Sequence, residues 1–143
     1  MPAKESQINE LKQHFKGWYI EADQVVFDEG TASLMDYAVQ IYQDVHFIYL
    51  LHFTKTRGLI EAAFFSHNVA ADDVYDVLIN DYLHQKYPNV KFVVTSTEKG
   101  CIPMSRQTFK RYGQAGEVSI GKAAGMVKAS TGYTFNRITQ DSI

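Results

Sequence analysis

The chain has 143 residues, 45% of them apolar and 13% aromatic, which is enough for one domain with a substantial hydrophobic core. Its formal net charge of −2, with acids and bases interspersed, argues against nucleic acid as a partner. A single cysteine, Cys101, excludes an internal disulfide and a thiolate metal cluster and suits a cytoplasmic location. The polar start and the lack of any apolar run approaching about 18 residues argue against a secretion signal and a membrane span.

The first third of the chain predicts a leader followed by strands. Residues 1–13 are mostly polar and are expected to form a flexible leader. Strand-like segments follow at His14–Ile20, Gln24–Phe27 and Leu34–Val39, with a break at Asp28–Gly30, where turn-forming residues cluster. This part of the chain therefore predicts β-structure.

Two longer apolar runs predict a hairpin with one anomalous residue. Val45–Phe53 and Leu59–Ser66 are joined by Thr54–Gly58, which is hairpin spacing. Glu61 lies among apolar residues of the second run, and burial of a carboxyl group raises its pKa. Glu61 is thus a candidate general acid. Two alternatives stay open: the strand turns Glu61 to solvent, or Arg57 or a histidine pairs with it.

A helix and a further strand are predicted next. Apolar residues repeat at helical spacing through Ala71–Tyr87, and Pro88 follows as a stop signal. Val90–Ser96 predicts a short strand, and Ser105–Gly116 a polar, basic loop. The five histidines show no metal-ligand spacing, so no metal site is expected.

Small residues mark the passage Ser119–Arg137, which predicts a strand leading into a helix. Ser130 or Thr131 is expected to cap that helix, which runs on through Ile138. A helix N-terminus carries unpaired N–H donors and partial positive charge, which suits a phosphate or an electron-rich ring. The competing interpretation is that the small residues only allow close packing. The residues expected to leave backbone N–H groups uncovered are Gly121, Ala123, Ala124 and Gly125.

Four motifs in order, spanning residues 14–138, resemble the lycopene cyclases, which are FAD-dependent enzymes of carotenoid biosynthesis. They are HFKGW with LMDY, TKTRGLIE, GCIPM and GKAAGMVKASTGY. Glu61 falls on the essential glutamate of that family. The chain departs from the family pattern at Ala129, where a proline is usual, and at Ala62 and Ala63, where an acid or tyrosine and then threonine are common.

The resemblance implies an α+β fold: a mostly antiparallel sheet, one long amphipathic helix packed on it, and a C-terminal strand-helix corner facing a flavin. This would be part of a flavoprotein-monooxygenase-like architecture. Residues 14–143 would correspond to the substrate domain and flavin-end segment of a cyclase, without its dinucleotide-binding part, so that the chain is a partial one. The cofactor would be reduced FAD in a non-redox role. Its expected contacts are Gly121, Ala123, Ala124, Gly125, Met126, Ser130, Thr131, Gly132 and Tyr133.

The reaction implied by the resemblance is cyclisation of lycopene end groups to β-ionone rings, started by a proton and without net redox change. Glu61 would be the acid, or the base that removes the final proton. Residues expected at the substrate are Tyr49, Phe64, Phe65 and Asp36, although Asp36 is equally well interpreted as a turn or strand-end acceptor. Because the carotenoid substrate dissolves in lipid, peripheral contact of the protein with a membrane is a hypothesis.

Three other functions stay open at this point. One is a different flavoprotein of the same architecture, such as a hydroxylase or a geranylgeranyl reductase. The others are an inactive cyclase remnant and a binding module for a small apolar ligand, which would show the same hydrophobic pattern.

Overall fold

The computed structural model describes residues 10–104, 116–128 and 130–141. In this part of the chain the fold is α+β, with five strands and two α-helices. A 3₁₀ turn at Gly121–Ala124 lies between the last strand and the last helix. The elements in chain order are β1 Lys12–Ala22, β2 Ala32–Asp36, β3 Val45–His52, β4 Arg57–Ser66, α1 Asp72–Lys86, β5 Phe92–Pro103 and α2 Phe135–Asp141.

Contacts divide the chain into two compact units. One unit is Lys12–Cys101, which holds α1 and nearly all of the sheet. The other combines Met1–Leu11 with Ile102–Ile143 and holds the 3₁₀ turn and α2. Each unit is described by itself below.

The strands form one antiparallel sheet in the order β2-β3-β4-β1-β5. The predicted hairpin is confirmed, because β3 and β4 pair from Val45 opposite Phe65 to His52 opposite Gly58. Gly58 is required at its turn, since a Cβ there would lie 2.7 Å from the Leu51 carbonyl oxygen.

Helix α1 packs one side on the sheet, and its bounds lie within one residue of the sequence prediction at each end. Asp72 and Asp73 place negative charge in its first turn, where it interacts favourably with the positive end of the helix dipole. The helix ends two residues before Pro88. The buried residues of α1 are Tyr75, Leu78, Ile79, Tyr82 and Leu83, and these join β-strand residues such as Ile20, Leu50 and Ile60 in the main hydrophobic core.

The two faces of the sheet carry different side chains, because successive strand residues point to opposite sides. The helix face, which packs on α1, includes His14, Ile60 and Phe64. The opposite face carries Glu61 and is called the Glu61 face below. Its other members near Glu61, by register and alternation, are Gly17, Tyr19, Phe47, Tyr49 and Phe65.

Several strand predictions need correction. Gln24–Phe27 is not a strand: the Val26 and Phe27 N–H groups both donate to the Lys55 carbonyl at 3.0 Å, so this segment closes over the β3–β4 turn. The strand predicted at Leu34–Val39 instead begins at Ala32 and ends at Asp36. Strand β5 runs from Phe92 to Pro103, so it begins two residues later and ends seven residues later than the predicted strand Val90–Ser96.

The boundaries at the start of the chain also differ. Strand β1 begins at Lys12, so Lys12 and Gln13, which the sequence places in a leader, are strand residues paired with Ser66 and Phe65. Residues 1–9 lie outside the described part of the chain.

The C-terminal passage differs from prediction in two ways. A 3₁₀ turn replaces the strand expected near Gly121, since glycines of positive φ at Gly121 and Gly125 do not fit an extended strand. Helix α2 begins at Phe135, so neither Ser130 nor Thr131 caps it; both precede it in a turn. Most of the predicted loop Ser105–Gly116 lies outside the described residues.

Candidate functional site

Glu61 lies in the middle of β4 and is half-buried. Its Cα is paired with Tyr49 on β3 and with Gly17 on β1, so neighbours on both sides are fixed by the sheet register. Among the described residues, no hydrogen bond or ion pair involves its carboxyl group, and neither Arg57 nor a histidine pairs with it. Of the interpretations left open by the sequence, the one with an unpaired, partly buried acid fits the structure.

The electrostatics of Glu61 favour its protonated form. Burial raises the pKa of Glu61 from its ordinary value of 4.5 to about 7, and repulsion by Glu98 adds to this rise. A carboxyl group with such a pKa is about half protonated at neutral pH, which is the condition for a general acid. The arrangement can therefore deliver a proton.

Aromatic residues lie on the same face of the sheet as Glu61. Tyr49 is directly opposite, and its ring lies 5.2 Å from that of Phe47 in an edge-on arrangement. Phe65 lies two pairs further along the same face, with its ring 5.7 Å from Phe47. The structure thus places Tyr49 and Phe65, two of the residues predicted at the substrate, on the same face as Glu61.

Phe64 and Asp36 are on the other side of the sheet. Phe64 is buried in the core, where its ring stacks between those of His14 and His46 at 5.5 and 5.1 Å. Asp36 accepts hydrogen bonds from the Tyr82 hydroxyl at 2.8 Å and from the Ala38 N–H at 2.9 Å. The structure does not bring either residue to Glu61, and Asp36 acts as the strand-end acceptor that the sequence also allowed.

Three residues that sequence reasoning did not assign to the site lie beside Glu61. Glu98 on β5 lies over Gly17, because a Cβ at Gly17 would be 3.1 Å from Glu98 Cγ. The Tyr19 hydroxyl donates a hydrogen bond of 2.9 Å to Glu98 Oε2. A glycine inside a strand, as in HFKGW, is the signal that could have found this close approach.

The C-terminal unit holds the residues expected at the flavin. The 3₁₀ turn contains Gly121, Ala123 and Ala124. Only the backbone of Ala123 is described. Gly125 and Gly132 have positive φ. Met126 is buried, Ser130 and Tyr133 are exposed, and Thr131 is half-buried.

Several backbone N–H groups in this segment donate to carbonyl groups of the same segment. The Met126 N–H donates to the Gly121 carbonyl, and the Thr131 and Gly132 N–H groups both donate to the Lys128 carbonyl, at 3.1 and 2.8 Å. These bonds occupy the N–H groups of Met126, Thr131 and Gly132. That the N–H groups of Gly121, Ala123, Ala124 and Gly125 are uncovered stays a prediction. With only seven residues, α2 is also too short to offer a strong dipole.

A cavity of about 410 Å³ adjoins this segment, and its chemistry can take a flavin ring. Lys128 and Arg137 supply cationic donors, which suit the electron-rich edge of such a ring, and Tyr133 and Phe135 supply aromatic surface. Of the predicted contacts, Thr131 and Tyr133 line it. Lys128 and Arg137 were not among the predicted contacts, although Lys128 belongs to the motif.

A second cavity of about 420 Å³ lies on the helix face, lined by Trp18, Leu83, Tyr87, Phe92 and neighbours. None of the predicted site residues is among those lining it. Because Glu61 is on the opposite face of the sheet, this cavity is separate from the candidate acid.

In the part of the chain that the structure describes, no three side chains of the His, Cys, Asp and Glu types lie close enough to hold a metal ion. Neither of the two described helices has the length and apolar character needed to cross a bilayer.

Comparison with known proteins gives one match. The family model described as "Lycopene cyclase protein" matches residues 1–142. No curated protein and no solved structure gave a significant match. Since the family model covers nearly the whole chain, the resemblance carried by the four motifs is confirmed, and the chain belongs to the lycopene cyclase family.

Proposed function

We propose that this chain carries the acid of a lycopene cyclase, which converts the acyclic end groups of lycopene to β-ionone rings. Membership of the family supports a carotenoid cyclase function. The observation that carries the proposal is Glu61, a half-buried carboxyl group with the aromatic Tyr49 paired opposite it, no ion partner among the described residues and a pKa of about 7.

Glu61 donates its proton to the terminal double bond of the end group, and a tertiary carbocation results. The next double bond attacks this cation and closes a six-membered ring. A neighbouring C–H bond then loses a proton to a base, and the Glu61 carboxylate left after the first step can receive it. One proton is gained and one is lost, so no electrons are transferred and the product is an isomer.

The rings on the Glu61 face support the cationic intermediate in this proposal. An aromatic face attracts positive charge by about 0.5 to 2 kcal/mol, and this attraction is strongest where water is excluded. Tyr49 is the best placed ring because the sheet register fixes it opposite Glu61. Phe65 provides a second ring on the same face.

Reduced FAD is the proposed cofactor, and when bound it would supply an electron-rich ring. The residues proposed to hold it are Lys128 and Arg137 at the polar edge and Tyr133 and Phe135 against the ring. These residues and Thr131 line one cavity, and that supports the assignment. The glycines of the same segment remain proposed contacts, through close backbone approach.

The experiment that tests this function replaces Glu61 by Gln, which keeps the shape of the side chain and removes the transferable proton. The longest reading frame that encodes the chain is expressed in lycopene-producing cells, and carotenoids are separated by chromatography. We expect cyclised product to fall by at least about 100-fold, the usual contribution of a general acid. Glu21→Gln, at an exposed glutamate of β1, is the matched control and should keep full activity. Undiminished cyclisation by Glu61→Gln would remove Glu61 from the mechanism.

A further inference from the structure

A row of four positions crosses the Glu61 face from β3 to β5. Tyr49 is paired with Glu61, and Glu61 is paired with Gly17. Glu98 lies on the far side of Gly17, on the edge strand. The two carboxyl groups therefore flank a position that has no side chain.

Gly17 creates the space that lets the two acids approach. A Cβ at this position would lie 3.1 Å from Glu98 Cγ and 3.4 Å from Glu98 Oε1. It would also lie 3.1 Å from Leu59 Cδ1, so the space is closed on both sides. A side chain at this position would therefore require Glu98 and Leu59 to shift.

Tyr19 fixes the position of the Glu98 carboxylate. Its hydroxyl donates to Glu98 Oε2 at 2.9 Å, and this contact raises the pKa of Tyr19 because the phenolate would face a negative charge. Tyr19 is two residues from Gly17 on the same strand and therefore on the same face. The hydrogen bond thus holds the half-buried Glu98 side chain in one orientation.

The titratable and charged groups on the Glu61 face come from four strands. The titratable groups are Glu98 on β5, Tyr19 and the exposed Glu21 on β1, Tyr49 on β3 and Arg57 on β4. Arg57 makes no ion pair with Glu61, and Glu21 is paired in register with Arg57, further along the face. Among these, Glu98 is the charged group that acts on Glu61, and its repulsion is the second cause of the raised Glu61 pKa, after burial.

We propose that Glu98 is a positioning residue, whose carboxylate, anchored by Tyr19 over Gly17, keeps the transferable proton on Glu61. The pair divides its roles. Glu98 holds the negative charge near the strand edge, and Glu61 holds the proton among the aromatic rings. The catalytic value of this arrangement rests on the proposed function, whereas the coupling between the two carboxyl groups does not.

The first test measures the coupling directly. The full chain is labelled with ¹³C at the glutamate side-chain carboxyl carbon, and each carboxyl is titrated by NMR, with Glu61→Gln identifying the Glu61 signal. We expect Glu98→Gln to lower the Glu61 pKa by about 0.5 to 1.5 units, the effect of one charge removed at moderate distance. Glu21→Gln removes the same charge from an exposed site and should leave the Glu61 pKa unchanged. An unchanged value in folded Glu98→Gln overturns the proposal.

A second variant tests the same proposal if Glu98→Gln does not fold. Tyr19→Phe keeps the Glu98 charge and removes the hydroxyl that anchors it, so the Glu61 pKa should fall part of the way. If it does not fall, the anchoring role of Tyr19 is wrong.

The pH dependence of cyclisation distinguishes the proposal for the carboxyl pair from the proposed cyclase function. In the active enzyme, cyclisation needs protonated Glu61, so its rate declines at alkaline pH, and Glu98→Gln should move this decline to lower pH by the same shift. A shifted titration without any cyclised product from the wild type supports the carboxyl pair and contradicts the cyclase function. Cyclisation with an unshifted titration contradicts the pair and leaves the cyclase function standing.

Discussion

Tyr82 on α1 donates a hydrogen bond of 2.8 Å to the Asp36 carboxylate at the end of β2. Lys86, one turn further along α1, reaches both partners, at 2.7 Å from the Tyr82 hydroxyl and 3.5 Å from Asp36 Oδ2. The bond joins the edge strand β2 to the helix, and burial with this bond raises the pKa of Tyr82. Asp36 thus stabilises the scaffold, on the side of the sheet away from Glu61.

Tyr82→Phe should therefore reduce stability and leave cyclisation intact. The variant loses one charge-assisted hydrogen bond, which we expect to lower the free energy of unfolding by about 1.5 to 3 kcal/mol. The urea midpoint checks this. Tyr42→Phe removes a hydroxyl at a more exposed ring and should change the midpoint much less. Equal effects would mean that the Asp36 contact contributes nothing.

Glu61→Gln should change the pH dependence of stability in a defined direction. The pKa of Glu61 is raised in the folded state, from 4.5 to about 7, so the folded protein binds the extra proton between these values. The free energy of unfolding of the wild type should then fall relative to Glu61→Gln as pH rises from 4.5 towards 7, and stay level above. We expect a total change of about 1 to 3 kcal/mol after allowing for solvent screening.

The measurement is a series of urea denaturation curves between pH 4.5 and 8. Glu21→Gln, at an exposed glutamate, should track the wild type throughout. If the difference between wild type and Glu61→Gln is flat with pH, the Glu61 carboxyl group is not perturbed.

Comparing Tyr49→Phe with Tyr49→Leu should isolate the contribution of the ring. Both variants lack the hydroxyl, and only the second lacks the aromatic face opposite Glu61. If the ring stabilises the cation by about 0.5 to 2 kcal/mol, Tyr49→Leu should cyclise about 2- to 30-fold more slowly than Tyr49→Phe. Initial rates of β-carotene formation give the comparison. Identical rates would exclude a cation contact at Tyr49.

Removing a cation from the C-terminal cavity should weaken flavin binding. Lys128→Gln or Arg137→Gln each removes a charged donor that lines the cavity, and we expect about tenfold weaker binding of reduced FAD for each. Anaerobic equilibrium dialysis measures the dissociation constant. Lys91→Gln, at a cation of the other unit, is the control. Full affinity in both cavity variants would place the flavin elsewhere.

The part of the fold that could be predicted from the sequence is the part set by local pattern. The apolar stripe from Val74 to Leu83 predicts α1, and the two apolar runs joined by Thr54–Gly58 predict the hairpin. The alternation of side chains also indicates that Glu61 and Phe64 are on opposite faces, but the sequence interpretation placed both at the substrate.

The parts that could not be predicted depend on contacts distant in sequence. Val26 and Phe27 look like strand residues, yet both N–H groups donate to the carbonyl of Lys55, which no local pattern reveals. Glu98 lies in a polar stretch that reads as solvent-exposed, and only its approach to Gly17 brings it beside Glu61. The predicted start of α2 was wrong, because the Thr131 and Gly132 N–H groups donate to the Lys128 carbonyl in a turn, and the helix begins only at Phe135.

The most direct test of the central claim, that Glu61 starts cyclisation by giving a proton, is isotope incorporation. The active protein converts lycopene in deuterated water, and the product is analysed by mass spectrometry. Because the Glu61 carboxyl proton exchanges with solvent, each ring formed should carry one deuterium, and Glu61→Gln should form almost no labelled product. Rings without deuterium, or labelled rings formed equally well by Glu61→Gln, would contradict the account.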